Sequence, residues 1–280
     1  MENQKIIDLH THSVFSDGVL TPEALAERAK AKNVAVWALT DHDTLDGIPR
    51  ARAAAQNHGI EFVAGVEVSS IFNGVSVHIV GLNVDCANET LKNGVLSIRQ
   101  TRFARAQKMA ESLAKVGIEN ALEGALQFCE NRDSISRAHF ARFLVQIGRA
   151  ENKTEVFNHF LIPGKPGYVP HEWPAISRVV SWIRGAGGVA VLAHPGRYDF
   201  SKNARGNLVK EFKNAGGQAI EVASSAHSPD DVRYWAIVAQ KNGFAASVGS
   251  DFHLEDEKKR EIGKAPALPD FLKPVWELWA

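Results

Sequence analysis

Cysteine is scarce in this 280-residue chain, which carries only Cys86 and Cys129. The two are not in CxxC spacing, which excludes a disulfide framework and a paired-thiolate metal knuckle and points to a reducing compartment. A charge excess of either sign is also missing, because Lys+Arg and Asp+Glu each number 32. The balance gives no sign of a nucleic-acid coat or an acidic partner and leaves only local patches to consider. Long apolar runs are absent too. None approaches the ~20 residues that a bilayer span needs, so no membrane contact is expected. Met1 to Lys5 leads straight into a strand-like run with no signal-peptide core, and a soluble cytoplasmic protein is the expectation. No repeat or low-complexity segment is present, and no obligate protein partner is expected.

What the chain does have is length and apolar content. At 45% hydrophobic residues it can bury the core of one barrel-type domain, or of a domain with a substantial insertion. Short apolar runs predict strands at Lys5–His12, Val34–Thr40, Glu61–Ser69, Ser76–Val84, Gly188–His194, Gln218–Ala223 and Phe244–Ser250. Helical patterns fall between them. The first has Thr21 as N-cap, Pro22 in the first turn and Glu23 near the positive end of the dipole. Others are expected at Ile48–His58, Ala175–Gly185, Gly206–Ala215 and Pro229–Asn242, with stops at Gly216-Gly217 and Gly243. This alternation predicts an α/β fold built on a parallel sheet or barrel.

Residues 85–170 interrupt the alternation. Ser97–Val116 spaces Ile98, Phe103, Ala106, Met109, Ala110, Leu113 and Val116 as a helix does, and shorter helical patterns follow at Ala121–Cys129, Arg137–Ile147 and Lys153–Phe160. A Pro/Gly-rich return, Ile162 to Pro170, ends the stretch. The expected organisation is a barrel formed by 1–84 and 171–280, with an all-α insertion at 85–170 after the fourth strand. Phe271 to Trp279 is expected to pack back on the barrel.

Histidine and carboxylate residues recur where the strand-like runs end: His10-Thr11-His12, Asp17, His42, Glu67, His78, His194, and Asp251 with His253. Any one of these reads more simply as a hydrogen-bonded residue or a turn. Together they converge, because loops leave a parallel α/β sheet at the carboxyl ends of its strands. His10 and His12 are two apart and share a strand face, so both can hold one ion. Glu67 has two oxygens and can bridge to a second ion completed by His78 and His194, which leaves Asp17, His42 and His253 for a third. Imidazole with carboxylate suits Mn, Fe or Zn. His58, within a helix, is read as structural or exposed, and His139, His159 and His171, in or near the insertion, lack acidic strand-end company and fall outside the metal set.

The runs His10-Thr11-His12-Ser13, Ser16-Asp17-Gly18, Thr40-Asp41-His42-Asp43, Gly65-Val66-Glu67, His78-Ile79-Val80-Gly81, Ala193-His194-Pro195 and Gly249-Ser250-Asp251-Phe252-His253 resemble the polymerase and histidinol phosphatase (PHP) family. The resemblance implies a distorted (β/α)7 barrel and three divalent ions, Mn2+ foremost with Fe2+ or Zn2+ as alternatives. It implies one ion on His10, His12, Glu67 and Asp251, a second on Glu67, His78 and His194, and a third on Asp17, His42 and His253. Within the family, the helical insertion, Ser134 to Ala141, Gly164 to Pro170 and His194-Pro195-Gly196-Arg197 resemble the bacterial nucleotide phosphoesterases, among them 3′,5′-nucleoside bisphosphate phosphatases and a 5′→3′ exoribonuclease.

Clustered divalent ions suit phosphoester hydrolysis, in which they activate water and polarise phosphoryl oxygens. Positive groups are then needed around the equatorial oxygens. Arg197, Arg137 with Ser136, and Lys165 are the candidates. Tyr168 offers a ring for stacking on a base. Ser136 capping a helix and a solvated 165–168 loop are the plainer alternatives. Glu221 and His227 follow the sixth strand, are expected to face the mouth, and are candidates to contact substrate or to protonate the leaving oxygen. Arg99, Arg102, Arg105 and Lys108 form a stripe on one helix, read as a solvated face or as a track for an RNA backbone. The expected substrate is a nucleotide or short RNA; rivals are a histidinol-phosphate phosphatase and a non-catalytic metal-binding module.

Overall fold

A computed structural model describes residues 5–170, 172–254 and 260–279; His171 and the residues before Lys5 lie outside them. Seven strands form one sheet in sequence order: β1 (Ile6–Asp8), β2 (Val34–Leu39), β3 (Glu61–Phe72), β4 (Val75–Leu82), β5 (Val189–Leu192), β6 (Ala219–Ser224) and β7 (Ala245–Gly249). The sheet closes on itself past the ends of β1 and β7. There Leu9 N donates to Val248 O at 3.0 Å, Asp251 N to His10 O at 2.9 Å and His12 N to Phe252 O at 3.0 Å. The interior is filled by small and branched side chains, among them Val36, Ala38, Val63, Val80, Val191 and Ala219. Its floor is sealed by Val275, with Trp276 and Trp279 packed alongside.

One strand departs from the parallel expectation. β4 runs antiparallel to both β3 and β5. The cause is local: Asn73 and Gly74 both adopt left-handed backbone (φ 49° and 76°), the geometry of a two-residue hairpin turn. The chain therefore returns at once instead of crossing over through a helix. His78 reaches the mouth from the first half of a descending strand, and Glu67 sits inside β3 rather than at its end.

The helices are α1 (Pro22–Ala31), α2 (Ile48–His58), α3 (Glu89–Ala114), α4 (Ala121–Leu126), α5 (Arg137–Gln146), α6 (Lys153–Val156), α7 (Ile176–Gly185), α8 (Lys202–Asn214) and α9 (Pro229–Asn242). Caps set several starts: Thr21 Oγ1 accepts Ala24 N at 3.3 Å, and Asn88 Oδ1 accepts Leu91 N at 3.1 Å. The Asn88 cap starts α3 well before the expected Ser97, and Ser201 likewise starts α8 early. α7 buries Ile176, Val179, Val180 and Ile183, an i, i+3, i+4, i+7 stripe laid against the sheet. Between β4 and β5 the chain builds a separate apolar cluster from Met109, Leu113, Ile118, Phe140, Leu144, Val156 and Leu161.

α3 rises from the barrel floor, where Asp85 N donates to Ala186 O at 2.9 Å. It crosses α7 at Gly94, where an added Cβ would meet the Trp182 ring at 2.5 Å. Gly94→Ala should therefore test the packing directly. The helix-propensity gain is about 1 kcal/mol, and overpacking a fixed ring costs about 1–3 kcal/mol. A net fall in Tm is expected on thermal melting; a rise in Tm would mean that the contact yields.

Candidate metal centre

The first ligand pair is aimed by what lies between its members. Thr11 is fully buried, donating from Oγ1 to Ala38 O at 2.8 Å and accepting Trp37 Nε1 at 2.8 Å. With Thr11 pinned outward, strand alternation sends His10 and His12 into the mouth. Asp41 then shapes the next turn, accepting Ser13 N at 2.7 Å, Ser13 Oγ at 2.6 Å and Ser16 Oγ at 2.7 Å. Gly18 is required there, since a Cβ would lie 2.3 Å from the His12 carbonyl oxygen. Asp17 is thereby turned toward His42 and His253.

Among the described residues three groups of donors emerge, each with its atoms within 4.8 Å of one another: His10, His12, Glu67 and Asp251; His12, Asp17, His42 and His253; and His42, Glu67 and His78. The first coincides with one implied set. The second adds His12 to another. The third pairs Glu67 and His78 with His42, whereas the resemblance implied His194. His194 is nonetheless adjacent, its Nε2 lying 2.8 Å from Glu67 Oε1. His12 and His42 thus sit between groups.

The donor atoms fit a cation better than they fit each other. Glu67 Oε2 lies 3.2 Å from His10 Nε2, 3.3 Å from His12 Nε2 and 3.0 Å from His42 Nδ1. Yet these atoms, with Asp17 Oδ1 and Asp251 Oδ1, are buried without a partner in hydrogen-bonding geometry. Buried polar atoms are rarely left so. Burial works against ionisation of Glu67, but His10, His78 and His42 outweigh it and hold the carboxyl well below its usual range. Asp251 is held low in the same way, burial being overcome first by Arg197 and then by His253. Burial, with Arg197, brings His194 down to about 4, leaving a neutral imidazole. His12 differs: burial would lower it, but the carboxylates of Asp251 and Glu67, 3.4 and 3.3 Å from its Nε2, push it up to about 9. A cation taken up by His12 must displace a proton.

Two of these residues have left-handed backbone, His194 (φ 27°) and Asp251 (φ 55°). For non-glycine residues this costs of order 1–3 kcal/mol each and persists only where the surroundings enforce it. The surroundings do so here: His194 N donates to Glu221 Oε2 at 2.7 Å, and Asp251 N to His10 O.

Glu221 is 2% exposed and accepts from His10 Nδ1 at 3.1 Å, so it stands behind the His10 ring and does not line the cavity. His227 is likewise set back. Its Nδ1 bonds Val222 O at 3.0 Å and its Nε2 accepts Gly196 N at 3.0 Å, which fixes the turn carrying Arg197. A cavity of about 520 Å³ opens over the metal centre, lined by Asp17, His42, His78 and His253 below and by Arg102, Arg105, Ser136, Arg137 and Arg142 above, with Arg197 at its edge. Lys165, Tyr168 and His227 are not among its lining residues. Arg197 pairs with Asp251 at 2.6 Å. The arginine stripe of α3 is neither solvated nor exposed at its centre, because Arg102 and Arg105 are each 8% exposed and face this cavity. Arg142 escaped sequence reading, although a lone charge inside Phe140-Ala141-Arg142-Phe143-Leu144 is itself a signal. His139 caps α5, accepting Ser136 N at 2.9 Å, and His159 is exposed.

Comparison with known proteins agrees with this geometry. Residues 8–115 match the PHP domain model. The chain is 48% identical to a 3′,5′-nucleoside bisphosphate phosphatase of Chromobacterium violaceum, covering 96% of this chain and 95% of that one. It is 41% identical to the 5′-3′ exoribonuclease Rnm of Salmonella typhimurium, covering 98% and 94%. The structure of an amidohydrolase from Chromobacterium violaceum with bound sulfate superposes with a TM-score of 0.94 at 47% identity, covering 98% and 95%. With a seven-stranded (β/α) barrel, a histidine–carboxylate mouth and relatives matched over nearly their whole length, the chain belongs to the PHP domain family.

Proposed function

We propose that the protein is a metal-dependent phosphoesterase of nucleotides, which removes the 3′-phosphate of nucleoside 3′,5′-bisphosphates or cuts 5′-phosphorylated short RNA stepwise from its 5′ end. The observation that carries this reading is the two-sided cavity, with metal-ligand side chains on one wall and guanidinium groups on the other, of which Arg105 and Arg137 are the ones turned to phosphate while Arg102 and Arg142 are engaged by Asp43 and by the Asp17 carbonyl oxygen. Arg105 is pushed down to about 9 by burial and by the nearby charges of Arg137 and Arg102, and its Nη2 is buried without a hydrogen-bond partner. Such crowding of like charge suits a second phosphate, which planar guanidinium groups bind well. A substrate with two phosphates spans both walls, and a cavity of this volume accommodates a nucleotide.

Divalent ions, three in this reading and Mn2+ foremost, supply activated water and charge neutralisation when bound. His10, His12, Glu67, Asp251, His78, His194, Asp17, His42 and His253 hold them, and Glu221 fixes the His10 ring. Arg197 reaches over Asp251 to the equatorial oxygens of the scissile phosphate, neutralising charge that builds toward the transition state. Arg137 and Ser136, at the start of α5, grip the remote phosphate and set the distance from it to the bond that breaks. Lys165 and Tyr168 belong to the rim that a longer strand meets on leaving. Helical unit 85–170 forms the roof and selects substrate length. Among the described residues no helix is long and apolar enough to cross a membrane, and two free thiols suit a cytoplasmic setting.

Mn2+-loaded protein offered adenosine 3′,5′-bisphosphate, a 5′-phosphorylated oligoribonucleotide and histidinol phosphate should turn over one or both nucleotides. Hydrolysis of histidinol phosphate alone would sink the nucleotide reading, and no turnover at all would favour a non-catalytic module. Arg137→Ala removes a charge-assisted contact of about 1.5–3 kcal/mol, so KM should rise about 10–100-fold while kcat falls less. An unchanged KM would remove Arg137 from the phosphate site. His42→Ala should keep the native circular dichroism spectrum yet lose turnover and bind less Mn2+ per chain; full activity would contradict a third ion.

A further inference from the structure

The helical unit bonds to the barrel mouth at the loop of Asp17, at the loop after His42 and at Ser69 of β3, all segments that carry candidate ligands. From α3, Arg99 Nη1 donates to Thr44 Oγ1 at 3.1 Å and to Asp46 Oδ2 at 2.6 Å. One turn on, Arg102 donates from Nε to Asp43 Oδ2 at 2.8 Å, and from Nη2 to the same oxygen and to Ser69 Oγ at 2.7 Å. Asp43 also accepts Ser69 N at 2.7 Å. Asp43 directly follows His42 and holds left-handed backbone (φ 52°). Ser69 lies two residues beyond Glu67 on β3. Arg102 therefore ties the loop of one ligand to the strand of another. From α5, Arg142 donates to the Asp17 carbonyl oxygen, and Ser136 Oγ donates to Asp17 Oδ2 at 3.4 Å. Asp17 itself, and the loop residues that follow His42, are thus gripped from the helical unit.

We propose that Arg102 and Arg142 are positioning residues through which the docked helical unit sets the geometry, and so the cation affinity, of the Asp17–His42–His253 group. The inference rests on the metal-centre reading above. Neither arginine has to touch an ion. Arg102 braces the carboxylate of Asp43, whose left-handed backbone is also held by its own N–H donating to Glu67 O at 2.9 Å, and its planar fork serves two acceptors on different segments at once. Arg142 fixes the carbonyl of the residue whose carboxylate is the ligand. Outer partners of this kind govern metal affinity and activity by about 10–100-fold.

The test is titration of the full chain with Mn2+ alone, followed by calorimetry, together with the Mn2+ dependence of adenosine 3′,5′-bisphosphate turnover. Arg142→Met and Arg102→Met should weaken the weakest Mn2+ step about tenfold. Excess Mn2+ should restore kcat with KM nearly unchanged. An unaltered Mn2+ isotherm would overturn the proposal, as would a kcat or KM defect that Mn2+ does not relieve, since that marks a direct substrate contact. If Arg102→Met fails to fold, Arg102→Lys, which keeps the charge and loses the fork, and Arg142→Met decide by the same criteria. A wild-type chain that takes up no Mn2+ removes the metal-centre reading and this inference together. That outcome is distinct from variants that load as the wild type does.

Discussion

Glu67 is fully buried, and imidazole nitrogens from five histidines lie within 3.3 Å of its carboxylate. An isolated buried carboxylate costs several kcal/mol after relaxation. It is tolerable only where positive charge or a cation collects around it. The five rings come from β4 and from the ends of β1, β2 and β5, so meeting the needs of one side chain assembles most of the barrel mouth. The strained backbone at His194 and Asp251 belongs to the same constraint, because both residues must turn inward where the strand would carry them past.

Charge neutrality of the chain as a whole conceals a sharp local separation. Carboxylates and imidazoles lie on the floor of the cavity, guanidinium groups on its roof, and the two are joined at the edge by the Arg197–Asp251 pair. A ligand with two anionic ends meets complementary charge at both, while a single phosphate engages one wall alone. Buried arginines repel one another in the absence of an anion, so part of the roof's stability is coupled to binding.

The seven strands were legible because buried strands are apolar throughout, and the cluster at the mouth because acids and histidines stood where those runs ended. The direction of β4 was also written in the sequence, in Asn73-Gly74, but strand–helix alternation overrode a two-residue signal. The arginines of α3 were harder to place. A helical stripe of Arg99, Arg102 and Arg105 has the same spacing whether it faces water or a cavity, and the acceptor that decides the matter, Asp43, is remote in sequence. Glu221 and His227 were recognised as being close to the site but not as lying behind it, since periodicity gives the face of a strand and not the depth of its side chains. The separate domain boundary at 85–170 rests on composition and on the local apolar cluster.

The reversed strand has a mechanical consequence. Because β4 descends, the chain leaves it at the barrel floor, and α3 must climb the full height of the barrel before it can roof the mouth. At 1.5 Å per residue, the stretch from Gly94 to Ala114 is a rigid arm of about 30 Å. A tilt of about 5° where Gly94 bears on Trp182 moves the cavity-lining Arg102 and Arg105, roughly 12–17 Å along the arm, by about 1–1.4 Å. The clearance under the roof is therefore set at both ends of this lever, by a glycine–tryptophan contact low on the barrel wall and by the Arg99 and Arg102 bonds at the mouth.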